Sequence, residues 1–287
     1  MTGAFLASSG GRISAADISA AAHKVGVRRG ATVILHSRLH TLGRLLPGVT
    51  RESLTGEIIG AFIEAVGPNG TLVFPAFSFS FCRTGRFDIE RTPSEMGMLS
   101  EAARRWPGAR RTSHPIYSMA IIGPGHSRIE RASSFTCFGP DSPFAALSAM
   151  AKEGDSQVFL ATLGIDLPPS ALTFIHHLEE AAAVPYRYHK VFTGTVTDTI
   201  GERKVDVDFF VRAMDSPVEF DDKACWALWQ ENHVGAVARV GDSMLFAATV
   251  DEVSRVTSEA IRRRPDFLCR GGYAKGNKER RAQQLNI

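Results

Sequence analysis

Three short, almost unbroken apolar runs restrict what this chain can fold into: residues 31–35, 71–74 and 156–163. Runs of that length, rich in β-branched residues and bounded by glycine, proline or polar groups, suit strands buried on both faces of a sheet. Helical spacing fills the intervals. Residues 14–25 place Ile18, Ala21, Ala22 and Val25 on one face behind the cap residue Ser14, and residues 54–66, 98–106, 144–152 and 172–183 read the same way. Residues 118–123 read as a further strand. The alternation predicts a three-layer α/β/α fold around a mixed, largely parallel central sheet. Between residues 190 and 211 the pattern changes to β-branched alternation on either side of Gly201, which predicts an additional antiparallel hairpin. Residues 226–231 and 253–264 read as the last helices, and residues 273–287 as a mobile polar tail. No repeat or linker interrupts the sequence, so residues 1–287 are expected to form a single domain.

Composition removes several classes. With 287 residues, 44% apolar and 22% charged, the chain resembles ordinary soluble proteins, and a formal charge of +3 gives no reason to expect nucleic acid as a partner. The four cysteines, Cys82, Cys137, Cys225 and Cys269, form no C-x-x-C pair, so neither a zinc site nor a disulfide framework is expected. No apolar run approaches the roughly 18–20 residues of a membrane span, and the first twelve residues lack a basic region before an apolar one. The expectation is a cytoplasmic protein with no membrane partner.

P-loop, dinucleotide, H-E-x-x-H and G-x-S-x-G signatures are absent. Polar groups at predicted strand ends and on one helix remain. In Thr173-Phe174-Ile175-His176-His177-Leu178-Glu179, His176 and Glu179 are three apart and share a helix face. A carboxylate beside an imidazole fixes its tautomer and stabilises the imidazolium, as a general base requires. On spacing alone a solvated helix face with incidental histidines fits the same residues. His114, before Pro115, is either a second polar group of a site or a turn histidine bonded to backbone. His36-Ser37-Arg38 either supplies donors to an oxyanion or a pantetheine amide, or merely ends a strand.

Several segments together resemble the aminoglycoside 3-N-acetyltransferase family, the antibiotic N-acetyltransferases outside the GNAT fold. The longest runs from Thr92-Pro93-Ser94-Glu95-Met96-Gly97 through Arg104-Arg105-Trp106-Pro107-Gly108-Ala109-Arg110-Arg111 to His114-Pro115. Around it, in the family's order, stand residues 33–39, 71–75, 139–143 and the Thr173 to Glu179 segment, similar to the family's T-x-x-H-x-x-E helix. The likeness covers roughly residues 15–190. It implies an enzyme that transfers an acetyl group from acetyl-CoA, without a metal, to the 3-amine of an aminoglycoside. His176 would be the base, Glu179 its orienting carboxylate and His114 a second polar group. His36, Ser37, Arg38 and Leu39, with Ser113 and Ser118, would hold acetyl-CoA. The sequence departs from the family's pattern at Arg38, where a serine is usual, at residues 44–48, where a Gly-Gly loop is usual, at Leu172, where asparagine is common, and at Val184-Pro185-Tyr186-Arg187-Tyr188-His189-Lys190, which resembles members that work on other amino sugars more than the resistance enzymes.

Acceptors other than aminoglycosides stay open: an amino sugar for a surface glycan, or a natural-product amine. A relative that binds CoA or a sugar without turnover is the third reading, and a homodimer is compatible with all three. Charge is uneven along the chain. Residues 165–222 hold 11 acidic and 5 basic residues, a net of −6. An acidic acceptor lobe would attract a polyamine, and Arg104, Arg105, Arg110 and Arg111 could meet the phosphates of CoA. Solvated hairpin and helix faces account for the same charges.

Overall fold

The computed structural model describes residues 3–131, 135–154, 157–213 and 218–273. Its centre is a seven-stranded sheet running, from edge to edge, Ala236–Val240, Ser243–Thr249, Val158–Leu163, Thr32–Ser37, Thr71–Pro75, Met119–Ile122 and Arg110–Arg111. Thr32–Ser37 lies parallel to both Thr71–Pro75 and Val158–Leu163, and the Arg51–Val66 helix makes the crossover between the first two. The parallel part ends there: the other four pairings are antiparallel. The sheet is therefore more mixed than the expected largely parallel one: the two edge strands join their neighbours through short connections, while Met119–Ile122 and Ser243–Thr249 return antiparallel to Thr71–Pro75 and Val158–Leu163 across long ones.

Alternation along each central strand explains the unbroken apolar runs. Val33, Leu35, Leu72, Phe74, Phe159 and Ala161 face a core built with the Ala15–Lys24, Arg51–Val66 and Met98–Arg104 helices. Ile34, Val73, Val158 and Leu160 face a second core under the Pro143–Glu153, Phe174–Ala181, Asp222–Glu231 and Val250–Arg263 helices. Both faces are dry, so a polar side chain there is costly to leave unpaired, as Thr162 in Val158–Leu163 is: it is buried and its hydroxyl has no partner. Ser14 caps the first helix reciprocally with Asp17, as its position in the sequence predicts.

The hairpin forms from Arg187–Thr197 and Glu202–Arg212 and turns at residues 198–201. Arg86–Asp88 extends it by pairing with Thr195–Thr197, a third strand that the sequence pattern did not predict. A small sheet of Gly11–Ile13, Leu6–Ser8 and Arg44–Leu45 was likewise not anticipated. Among the described residues no helix is long and apolar enough to cross a membrane. The expected tail beyond Tyr273 lies outside the described residues.

Candidate active site

The Phe174–Ala181 helix buries Phe174, Ile175 and Leu178, and on the same face it buries a carboxylate: Glu179 is 1% exposed. A charge in such a place needs partners. His176 places Nδ1 2.6 Å from Oε2, Tyr186 donates its hydroxyl to Oε1 at 2.7 Å, and Arg187 sets Nε 2.8 Å from Oε2. The Arg187 contact is an ion pair whose N–H points off the hydrogen-bond direction.

The way the helix ends brings Tyr186 and Arg187 back to Glu179. Ala183 adopts a left-handed conformation at φ 48°, its N–H bonds the Glu180 carbonyl, and Val184 N–H bonds the Glu179 carbonyl. This is a Schellman closure with alanine where glycine is usual. Pro185 then prevents the helix from resuming, and the chain doubles back into the hairpin.

His176 Nδ1 also has Arg187 Nη2 at 2.9 Å. One ring nitrogen cannot both donate to Glu179 and accept from Arg187. The shorter contact, with the anion, takes the proton, so Arg187 acts on the ring as a charge, and Nε2 is left with a lone pair. The ring keeps 28% of its side-chain surface and lines a cleft of about 540 Å³. Its pKa lies below the usual histidine value, first because burial disfavours the cation, then because Arg187 and Arg212 repel it, against the pull of Glu179. Burial pushes Glu179 upward, yet His176, Arg187 and Tyr186 together hold it below the usual carboxylate range. The resting pair is a neutral imidazole on an ionised carboxylate, able to accept a proton at the open face of the ring.

Leu172, Thr173 and Tyr186 line the cleft beside His176, and the hairpin adds Tyr188, Lys190, Phe192, Phe209 and Val211 from one face of its strands. The Val158–Leu163 strand delivers the chain to this cleft. Its exit is tied to the end of Thr32–Ser37: Arg38 N–H bonds the Leu163 carbonyl at 2.8 Å, and Thr41 Oγ1 lies 2.6 Å from the carbonyls of Arg38 and Gly164. Gly164, at φ 78°, allows this approach, since a Cβ there would stand 2.3 Å from the Arg38 carbonyl. The two strand ends thus lie side by side, at the edge where open α/β sheets hold ligands.

A model of the aminoglycoside 3-N-acetyltransferase family matches residues 34–261, most of the chain, including His176, Glu179, Tyr186 and Arg187. The chain belongs to that family. Aminoglycoside N(3)-acetyltransferase IX of Micromonospora chalcea is 30% identical over 196 residues, 61% of this chain and 65% of the relative. Aminoglycoside N(3)-acetyltransferase VII of Streptomyces paromomycinus is 32% identical over 181 residues, 56% and 58% of the two chains. The match therefore spans just under two thirds of these relatives' length at most. The fold is that of solved aminoglycoside acetyltransferases. AAC-IIIb in its binary complex with CoASH superposes with a TM-score of 0.72 at 20% identity, over 88% of this chain and 97% of that one. AAC-VIa bound to sisomicin gives 0.69 at 22%, over 88% and 98%.

Within this family member the expected site residues are dispersed. His176 and Glu179 meet as their spacing predicts. His114 does not reach the cleft: it is fully buried, and the rings of Tyr117 and Phe138 stand between it and His176, with successive centroid separations of 6.3, 4.7 and 5.4 Å. Its Nδ1 accepts the N–H groups of Ile116 and Tyr117. Ser118, also buried, donates to the Ala76 carbonyl at 2.6 Å, and Ser113 is half-buried outside the cleft lining. His36 is buried at its strand end, with a pKa lowered to about 4 by desolvation, and Leu39 is buried beside it. Ser37 is half-buried and Arg38 exposed.

The arginines expected at CoA phosphates are mostly engaged elsewhere. Arg111 bonds the carbonyls of Ala76, Ile89 and Thr92 and the hydroxyls of Ser78 and Ser118, and Arg104 binds Glu101 and the Glu90 carbonyl. Arg105 and Arg110 are exposed, paired with Glu101 and Glu130. Tyr186 and Arg187 are the site residues that motif reasoning missed; the signal lay in a turn directly after the helix, followed by two long polar-tipped side chains. Among the described residues no cysteine lines the cleft and no cluster of His, Cys, Asp or Glu could hold a metal.

Proposed function

We propose that this chain transfers the acyl group of an acyl-CoA, acetyl-CoA in the first instance, to a primary amine of an amino-sugar acceptor, the class to which the aminoglycosides named for its relatives belong. The observation that carries the reading is the buried His176–Glu179 pair with Nε2 turned to the cleft. Nε2 takes a proton from the amine as nitrogen attacks the thioester carbonyl. The N–C bond forms, the C–S bond breaks and CoA leaves as thiolate, which recovers the proton from the imidazolium or from water. Glu179 steadies the imidazolium while it exists.

Transfer is direct in this scheme. Cys137 is buried and burial raises its pKa well above the usual thiol value, which disfavours a thiolate acyl carrier. His114 supports the wall behind Tyr117 and Phe138. The test is thiol release from acetyl-CoA in the presence of amino sugars and aminoglycosides, with the wild type against His176→Ala. Replacing the base should lower kcat by about 10²–10⁴-fold in a protein of unchanged melting profile. Full activity in the variant would remove His176 from the mechanism.

A further inference from the structure

The charge that faces the cleft is opposite to the charge of the segment that builds it. Of the ten described acidic residues between positions 165 and 222, Asp215 lying outside the described residues, only Glu179 and Asp222 line the cleft, whereas three of the 5 basic ones do: Arg187, Lys190 and Arg212. The two acids are already engaged, Glu179 with Arg187 at 2.8 Å and Asp222 with Arg270 at 3.6 Å. Among the described residues Lys190 and Arg212 have no carboxylate partner; Lys190 places its ammonium over the Phe192 ring at 5.0 Å. Arg212 is the cross-strand partner of Arg187 in the hairpin register, a juxtaposition of like charges that destabilises a strand pair unless something offsets it. Arg187 has Glu179. Arg212 has the cleft. Its charge also reaches the base, since it is one of the two arginines that lower the proton affinity of His176.

We infer that the acceptor amine also carries an anionic group, a phosphate or a carboxylate, which sits against Arg212 and Lys190 while the amine meets His176 Nε2. The inference rests on the acyl-transfer reading and narrows its acceptor. A polycationic aminoglycoside would bring further ammonium groups toward two unpaired cations, which opposes binding. An acidic amino sugar would pair its anion with them and set its amine at the base. Of the two readings of the acidic segment, an acceptor lobe or solvated faces, the described residues fit the second: Asp198, Asp206 and Asp208 bond Arg203, Thr193 and His189 away from the cleft.

Thiol release from acetyl-CoA should be compared for glucosamine, glucosamine 6-phosphate, muramic acid and sisomicin, at low and high salt. At least one acidic amino sugar should exceed glucosamine by about 10-fold or more in kcat/KM, with the margin shrinking as salt rises. In the double variant Lys190→Glu and Arg212→Glu, that preference should vanish and sisomicin should gain, with KM for acetyl-CoA unchanged. Sisomicin or glucosamine turned over better than both acids by the wild type would overturn the inference and leave acyl transfer standing. A raised KM for acetyl-CoA in the variant would overturn it too, by giving these cations to the phosphates of the donor. Silence with every amine would instead strike the transfer reading. Calorimetric binding of the same four compounds would then decide the charge preference: tighter binding of an acid supports it, and equal or weaker binding removes it.

Discussion

His114 and His176 are both withdrawn from water and both hold their protons less tightly than a free histidine, yet their rings carry the proton on opposite nitrogens. Two backbone N–H groups point at Nδ1 of His114, which must therefore accept, leaving hydrogen on Nε2. A carboxylate meets Nδ1 of His176, which must therefore donate, leaving Nε2 bare. Burial alone does not make a base. The partner of one nitrogen decides what the other can do, and only the His176 arrangement puts a lone pair at a cavity.

The largest test of this contrast reverses the partner of His176. Glu179→Gln offers Nδ1 an amide that can donate to it, favouring the tautomer with hydrogen on Nε2, and kcat should fall by about 10²–10⁴-fold with acetyl-CoA binding retained. A loss of less than 10-fold would mean that the carboxylate does not set the tautomer. His114→Ala should behave in the opposite sense. Activity per folded molecule should hold, while denaturant unfolding at pH 7 should register a loss of about 2–4 kcal/mol from the cavity and the two orphaned N–H groups.

His114 also links stability to pH. Its folded pKa is lowered to about 4, so below about 6.5 the unfolded chain binds the proton that the folded chain refuses. Stability should therefore be complete above 6.5 and decline toward pH 4 by on the order of 3 kcal/mol from this residue, and His114→Gln should flatten that decline in unfolding curves. The smallest expected effect concerns His176. The proposed mechanism needs His176 unprotonated, so kcat/KM should rise with pH along a limb centred below 6.5, and Arg187→Gln should move that limb upward by removing the cation beside the ring.

Much of the frame was legible in the amino-acid sequence. Doubly buried strands read as unbroken apolar runs, so Thr32–Ser37, Thr71–Pro75 and Val158–Leu163 were visible. Ala236–Val240 was not, because an edge strand exposing Ala236, Val237 and Arg239 carries neither a continuous run nor a clear alternation. The His176–Glu179 pair was legible because both residues lie on one helix. Tyr186 and Arg187 join it only through a chain reversal at Ala183, a left-handed alanine that no local rule anticipates. The sign of the cleft was not legible for a related reason. Net charge adds the outward and inward faces of a hairpin, and among the described residues the hairpin acids are mostly outward.

The hairpin is anchored at its root, where Tyr186 and Arg187 hold the buried carboxylate, and displays its cleft-lining side chains farther along. Root and face are separately mutable. Exchanges at positions 190, 192, 209 or 211 would reshape the cleft wall while the root keeps the His176–Glu179 geometry, whereas a change at the root takes one partner from a buried anion. Such a layout lets a lineage change acceptors by surface drift along one strand pair, without rebuilding its chemistry.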